Sequence, residues 1–247
     1  LLNHFEKIAI IAVDPSSPFT GGAILGDRIR MTDLVTLDKV FIRSMATRGS
    51  LGGLATKSNE VADLLDAAGY DLIIFETVGV GQTELDVARE ADITLVVLVP
   101  ESGDGIQAMK AGLMEIADIF VVNKCDREGC HKLAMELEMM LKNRSQKSTW
   151  NIPVLKTVAH LNQGINELGE SVLGFIRYAS THGIFEIRRT ERIKNHLIHL
   201  LKETMFEKIK EQISQTELDH FINQLVNHSI SYPEAVNLIL KKSNPKI

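Results

Sequence analysis

The sequence predicts an α/β fold in residues 1–160, with a mostly parallel sheet flanked by helices, followed by an α-helical extension. Short, continuous apolar runs alternate there with helical segments, and such runs are typical of parallel strands buried on both faces. After about residue 184 the strand signals stop, and charged segments with apolar residues at helical spacing follow. We therefore expect two domains, residues 1–183 and residues 184–247, the second of which serves dimerisation.

The elements are predicted in chain order. Strands are expected at residues 7–13, 40–43, 71–75, 93–99, 119–122 and 153–156. Helices are expected between them at residues 59–68, 84–91, 105–117 and 131–142. Three more are expected in the extension, at residues 185–212, 216–228 and 233–242. Gly69 is expected to end the first helix and Ser231 to cap the last one. Strands and helices that alternate in this way are joined by right-handed crossovers.

Composition excludes several classes of function. The net charge of -5 and the aromatic content of 5% argue against a nucleic-acid-binding face. The longest apolar runs are far shorter than the roughly 20 residues that cross a bilayer. Cys125 and Cys130 do not make a disulfide framework, so we expect a reducing, cytoplasmic compartment, or the mitochondrial matrix in a eukaryote. The chain begins with Leu1 and soon enters an apolar strand, so we expect it to be a piece of a longer protein.

Residues 123–126 read Asn-Lys-Cys-Asp and directly follow a predicted buried strand. The carboxylate of Asp126 can accept both the ring N–H and the exocyclic amine of guanine, and adenine offers no such donor pair. Asn123 is expected to tie neighbouring loops together, and the stem of Lys124 can lie along the base. The motif predicts guanine recognition, and an accidental polar loop is the alternative.

Acidic side chains follow two other strands. Asp14 ends the first strand and Asp27 lies in the glycine-rich loop after it, while Glu76 ends the third strand, before Gly79. Ligands bind at the carboxyl ends of parallel strands, so we expect these acids to converge there. Magnesium prefers a few carboxylates with phosphate oxygens and waters, and the amide of Gly79 can approach a γ-phosphate closely. The alternative is a capping glutamate with ordinary loops.

Five strings occur in order along the chain. They are DPSSPFTGG from Asp14, LGDRIRM from Leu25, TRGSLGG from Thr47, ETVGVGQ from Glu76 and NKCD from Asn123. Together they closely resemble the MeaB/ArgK-type GTPases, the methylmalonyl-CoA mutase accessory proteins. These belong to the metallochaperone-like branch of the P-loop GTPases. The resemblance is strong over residues 7–168 and weaker through the helical tail.

The resemblance implies a P-loop GTPase-like fold and a homodimer that binds GTP or GDP with Mg²⁺. It implies GTP hydrolysis in the service of adenosylcobalamin-dependent methylmalonyl-CoA mutase, or of a related acyl-CoA mutase, as a chaperone. Asp14, Asp27 and Glu76 match the acidic residues around magnesium. The family's third switch falls on a polar loop in which Lys110 and Gln107 are the catalytic candidates, with Lys110 placed against charge on the γ-phosphate.

Two features depart from the family pattern. The Gly-Lys-Ser/Thr phosphate loop is absent and is expected upstream of Leu1, together with the first strand of the fold. We therefore expect the chain alone to bind nucleotide weakly and to hydrolyse none. After the sixth strand, Val158 stands where a serine usually precedes Ala159. Both residues are still expected at the nucleotide, with the backbone amide of Val158 offered to guanine O6.

Three other functions are alternatives. An adaptor would bind the mutase without hydrolysing nucleotide. A kinase or transport ATPase of the ArgK type would prefer adenine, against which residues 123–126 argue. A nickel chaperone would need metal ligands, and Cys125, Cys130 and His131 match no standard zinc spacing.

Overall fold

The computed structural model describes residues 1–14, 31–46, 53–77, 88, 90–100, 112–143 and 150–243. All six predicted strands are confirmed within these residues. They are β1 (Ile8–Asp14), β2 (Val40–Ala46), β3 (Leu72–Thr77), β4 (Leu95–Leu98), β5 (Ile119–Val122) and β6 (Val154–Lys156). They pair only in parallel, in the orders β2-β1-β3 and β4-β5-β6. Every pair sets carboxyl ends side by side, so the loops that leave β5 and β6 are neighbours.

The central strands β1 and β5 are buried on both faces, which explains their continuous apolar sequences. In β5, Ile119, Phe120 and Val122 are 0% exposed. Phe120 and Val122 belong to a cluster with Leu137, while Ile119 packs in another with Val172. Each buried aliphatic or aromatic side chain contributes about 1.5–3 kcal/mol. The strand that precedes residues 123–126 is therefore fixed from both sides.

The helices between and after the strands follow the prediction in part. They are α1 (Thr32–Val35), α2 (Gly53–Ala67), α3 (Leu113–Ile116), α4 (Cys130–Asn143) and α5 (Ile165–Thr181), with a 3-10 turn at Ala159–Leu161. Helix α2 begins six residues before the predicted start at residue 59 and ends as expected, before Gly69 with φ of 80°. Most of the predicted helix at residues 84–91 and most of that at 105–117 lie outside the described residues, and residues 88 and 90 are helical as expected.

Helix α5 was not predicted. Gly169 and Gly174 interrupt its helix-forming composition. The helix nevertheless forms because Val172, Phe175 and Ala179 lie on one stripe and are buried.

The chain divides into two compact units, Leu1–Arg189 and Thr190–Ile247. The predicted helices of the extension are confirmed as α6 (Ile184–Gln212), α7 (Gln215–Val226) and α8 (Tyr232–Ser243). Ser231 accepts from the Glu234 amide, and the Glu234 carboxylate accepts from the Ser231 amide at 2.8 Å, as in a capping box. Ser214 and Glu217 form the same arrangement at α7. Among the described residues, no helix is both long and apolar enough to span a membrane.

Candidate functional site

The loop at residues 123–126 leaves the carboxyl end of the buried strand β5. The backbone N–H of Asn123 donates to Leu98 O of the neighbouring strand β4 at 2.8 Å, so the loop starts in register with β4. Lys124 follows with φ of 59°, a left-handed conformation that turns the chain sharply. The Arg127 amide donates to Lys124 O at 3.0 Å and closes the turn. The loop therefore projects from the sheet in a fixed direction.

The side chain of Asn123 joins this loop to the loop after β6. Its Oδ1 accepts from Thr157 Oγ1 at 3.0 Å and from the Ala159 amide at 3.1 Å. A second link runs from the Cys125 amide to Thr157 O, at 3.0 Å. Thr157 is only 2% exposed, so its hydroxyl bond to Asn123 is shielded from water, whereas the Ala159 bond is exposed. Thr157 is a positioning residue that the sequence analysis missed, and its place after a strand next to β5 was the available signal.

Asp126 and Lys124 differ in exposure. Asp126 is exposed, while Lys124 is half-buried. An exposed carboxylate at the end of a fixed turn can accept two parallel N–H donors from a ligand. Lys124 offers its aliphatic stem beside it. The two side chains thus lie on the same short turn at the carboxyl edge of the β4-β5-β6 sheet.

The backbone amides after β6 are occupied within the protein. The Val158 amide donates to Gln163 O at 3.0 Å, and Val158 itself is buried. This differs from the expectation that the Val158 amide is offered to guanine O6, because the bridge between Val158 and Gln163 takes up its hydrogen. Within the described part of the chain, the Ala159 amide donates only to Asn123 Oδ1, and Ala159 is exposed. Of the two amides, that of Ala159 can exchange its acceptor for a ligand oxygen.

Gly164 closes the segment after β6. Its φ is 75°, and a Cβ atom there would lie 2.3 Å from Lys156 O. Residues with a side chain fit neither this dihedral nor this space. Gly164 thereby holds the Val158–Gln163 bridge against the end of β6.

The predicted magnesium residues lie only partly within the described residues. Asp14 is the last residue of β1, and Glu76 lies in β3, in register with Ala12. The Oε2 atom of Glu76 is buried and has no hydrogen-bond partner among the described residues. A buried carboxylate oxygen without a donor is costly, and a cation or its water shell would satisfy it.

Asp27, Gly79, Gln107 and Lys110 lie outside the described residues, and so does the side chain of Asp14. Their roles stay predictions. In the part of the chain that the structure describes, no three His, Cys, Asp or Glu side chains cluster as metal ligands.

Cys125 and Cys130 are joined in the structure, which the sequence analysis did not expect. Their Sγ atoms are in bonding contact and their Cα atoms are 5.1 Å apart. The turn at residues 125–129 brings the third residue of the loop back to the first residue of α4, and the sequence spacing alone did not show this.

An ion pair at the opposite end of β5 was also missed. Asp118 is buried and accepts two bonds from Arg188, each 2.8 Å long, and a third from the Thr94 amide at 2.9 Å. The bond to Asp118 raises the pKa of Arg188 above its ordinary value. Trp150 Nε1 donates to Asp118 O at 2.9 Å. The strand that carries the candidate site is thus held at its amino end by charge-assisted bonds.

Three features together define a nucleotide-binding protein of the GTPase type. They are parallel strands with helical connections, an Asn-Lys-X-Asp loop fixed to the next loop by its asparagine, and, in β3 of the other sheet, a buried carboxylate oxygen without a hydrogen-bond partner among the described residues. The family model described as "Methylmalonyl Co-A mutase-associated GTPase MeaB" matches residues 1–214. The chain therefore belongs to the MeaB family, and the predicted family is confirmed.

Known proteins agree with this assignment. A Pyrococcus abyssi protein with a provisional GTPase name is 44% identical over 95% of this chain and 74% of its own length. The GTPase ArgK of Escherichia coli is 36% identical over 91% of this chain and 68% of its own. The crystal structure titled "LAO/AO transport system kinase" superposes with a TM-score of 0.68 at 26% identity, and covers 97% of this chain and 72% of that one. The predicted fold class is confirmed, and the family's activity is that of GTPases.

Proposed function

We propose that this chain recognises guanine nucleotides through Asp126 and that the protein to which it belongs hydrolyses GTP with Mg²⁺. The observation that carries the proposal is the bond pattern of Asn123, which fixes the turn bearing Asp126 against Thr157 and Ala159. A preorganised carboxylate binds the two guanine donors without an ordering cost. The same carboxylate meets no donor pair on adenine and stays unpaired, which supplies the selectivity.

The Ala159 amide completes the recognition of the base. It exchanges the Asn123 oxygen for guanine O6 when the nucleotide enters, while Thr157 Oγ1 keeps Asn123 Oδ1 in place and the Val158 amide keeps its bond to Gln163. Lys124 covers one face of the base with its stem. Val158 then acts by fixing the backbone next to the base, and not as a donor.

Magnesium is held at the other sheet. The Glu76 Oε2 atom would coordinate the ion or accept a hydrogen bond from a water bound to it, and Asp14 and Asp27 would complete the acidic set. When bound, the ion neutralises charge on the β- and γ-phosphates. In this proposal the Gly79 amide donates to the γ-phosphate, and Lys110 stabilises the charge that develops there. Gln107, in the same third-switch loop as Lys110, is the second catalytic candidate.

The proposed partner is a cobalamin-dependent acyl-CoA mutase, and the support for it is the family description, which names methylmalonyl-CoA mutase. A GTP-bound and a GDP-bound arrangement of the loops would differ in affinity for the mutase, so hydrolysis shifts the population between them. We propose a homodimer in the cytoplasm, or in the mitochondrial matrix of a eukaryote.

A titration with fluorescent GDP and ADP in the presence of Mg²⁺, carried to millimolar nucleotide, tests base recognition. We expect this chain to prefer GDP, and Asp126→Asn to weaken GDP binding by about a hundredfold, because an amide repels the guanine donors. The same variant should gain affinity for xanthosine diphosphate, whose extra carbonyl accepts from the new amide.

Glu128→Gln is the matched control, since Glu128 is exposed on the same turn and the change removes the same charge. Its GDP binding should equal that of the unchanged chain. Equal binding of GDP and ADP, or an Asp126→Asn variant with unchanged preference, contradicts the proposal and leaves the adaptor or the ArgK-type kinase.

A further inference from the structure

The cysteine pair lies at the proposed base site. Cys125 is the third residue of the loop at residues 123–126, and Cys130 is the first residue of α4. Their Cα separation of 5.1 Å is within the range that a disulfide spans without backbone movement. Asp126 is the first residue inside the small ring that the bond closes. A covalent change here therefore acts directly on the residue that selects the base.

The two sulfur atoms have different surroundings. Cys130 is 1% exposed and packs in the cluster that contains Leu133 and Leu137, whereas Cys125 is half-buried. In the reduced state the Cys125 thiol has an acceptor in Val122 O, 3.3 Å from its sulfur. Cys125 is therefore the more accessible of the two cysteines.

We propose that Cys125 and Cys130 form a reversible disulfide that tethers the base-binding loop to helix α4. The oxidant is a low-molecular-weight disulfide. The Cys125 thiolate attacks one of its sulfurs, forms a mixed disulfide and releases one small thiol. The Cys130 thiolate then attacks Cys125 Sγ and releases the second small thiol. Two cysteine thiols are oxidised, one small disulfide is reduced to two thiols, and the two protons end on those thiols.

The tether restrains the segment that carries Asp126. Without it, this segment is held by the Arg127–Lys124 turn bond and by the Cys125–Thr157 bond. The disulfide adds a covalent link on the far side of Asp126 and removes conformations in which the carboxylate leaves its position. Oxidation therefore slows release of a bound guanine nucleotide, a consequence that rests on the proposed function.

Equilibration of the chain in glutathione buffers, followed by alkylation and intact mass measurement, tests the bond itself. The unchanged chain should accumulate a monomeric form that is lighter by two hydrogen atoms and resists alkylation. Cys130→Ser should stop at one glutathione adduct on Cys125, because the resolving thiol is missing. Cys125→Ser should react far more slowly, since Cys130 is buried. Adducts on both cysteines of the unchanged chain, or equal reaction of the two variants, would overturn the proposal.

Hydrogen exchange of the amides at residues 124–130 tests the tether without nucleotide. We expect exchange about tenfold slower in the oxidised chain than in the reduced one, and Cys125→Ser should show no difference between oxidised and reduced buffer. Equal exchange in both states overturns the restraint.

The release rate of fluorescent GDP should also fall about tenfold on oxidation. A chain that forms the disulfide and slows exchange but binds no GDP would contradict the proposed function and leave the thiol chemistry standing.

Discussion

The base-site half of the first unit and the C-terminal unit bury their apolar residues to opposite extents. Around β5, Phe120 and Phe175 are 0% and 1% exposed, and buried apolar clusters cover both faces of the strand. In the unit Thr190–Ile247, Leu197 is 56% and Phe206 is 64% exposed. Apolar side chains therefore stabilise the region around β5 through a core, whereas exposed ones such as Leu197 and Phe206 contribute little folding energy to the C-terminal unit.

The C-terminal unit depends on local contacts instead. Capping boxes start α7 and α8, and Lys242 of α8 pairs with Glu217 of α7. Such solvent-exposed contacts contribute far less to stability than the burial of an aromatic side chain does. Substitutions in the region around β5 should therefore lower the free energy of unfolding much more than substitutions in the C-terminal unit do.

Truncating a phenylalanine in each region gives the largest expected difference. Phe175→Ala should lower the free energy of unfolding by about 3–4 kcal/mol, because it leaves a cavity beside Trp150 and Tyr178. Phe206→Ala should cost less than about 0.5 kcal/mol, because most of its ring is already in water. Urea unfolding followed by circular dichroism measures both.

Repeating the two unfolding measurements at several protein concentrations tests whether dimerisation buries Phe206. Burial of Phe206 in the predicted dimer would make its cost rise with concentration, whereas the cost of Phe175→Ala should not change. If the two variants lose equal free energy of unfolding at a concentration where light scattering reports monomers, the proposed difference in stability between the two regions is wrong.

A smaller effect is expected at the glycines near the base site. Gly164→Ala should destabilise the chain by about 2 kcal/mol, because its φ is positive and the new Cβ meets Lys156 O. Gly169→Ala is the matched control in α5, with open space around its Cβ, and should stabilise the helix by about 0.5 kcal/mol. The same unfolding measurement applies, and a neutral Gly164→Ala would show that the segment after β6 is loosely held.

The smallest expected effect concerns pH in the C-terminal unit. Hydrogen bonds from Lys242 and Ser214 lower the pKa of Glu217 from 4.5 to about 2. A carboxylate with a lowered pKa in the folded state contributes stability above the unfolded pKa of 4.5, and loses it as the pH falls towards about 2. Glu217→Gln should therefore narrow the difference in thermal midpoint between about pH 6 and about pH 3.

Salt provides the control for this prediction. Since the Glu217 side chain is 35% exposed and its partner Lys242 is 57% exposed, the effect should shrink as ionic strength rises. A variant whose pH dependence matches the unchanged chain at low salt would show that the ion pair contributes nothing to stability.

The periodicity of the sequence was sufficient for the strands and for the helices of the extension. Strands such as β5 are continuous apolar runs, and burial on both faces explains such runs. Their position and their parallel pairing could therefore be predicted from the sequence. Helix α5 was missed because its glycines lower local propensity, while tertiary burial of Phe175 decides its conformation. Contacts distant in sequence have no local signal, and composition therefore gave no indication of the Asp118–Arg188 pair.

The candidate site shows the same division. The motif at residues 123–126 predicted the place and the residue types, since a short string contains both. The partners of its atoms depend on how two loops meet, so neither the role of Thr157 nor the bond between the Val158 amide and Gln163 followed from spacing. The link between Cys125 and Cys130 depends on the turn between them, and was missed for that reason.

The pairing of Asp118 with Arg188 has a consequence for synthesis of the chain. The two residues are 70 positions apart, and translation proceeds from the amino end, so β5 and the loop after it leave the ribosome well before Arg188 does. Until then the buried carboxylate of Asp118 lacks its cation, and closing the hydrophobic surroundings over it is unfavourable. Nascent chains that stop before residue 188 should therefore remain sensitive to protease around β5, and become resistant once α6 has begun to emerge.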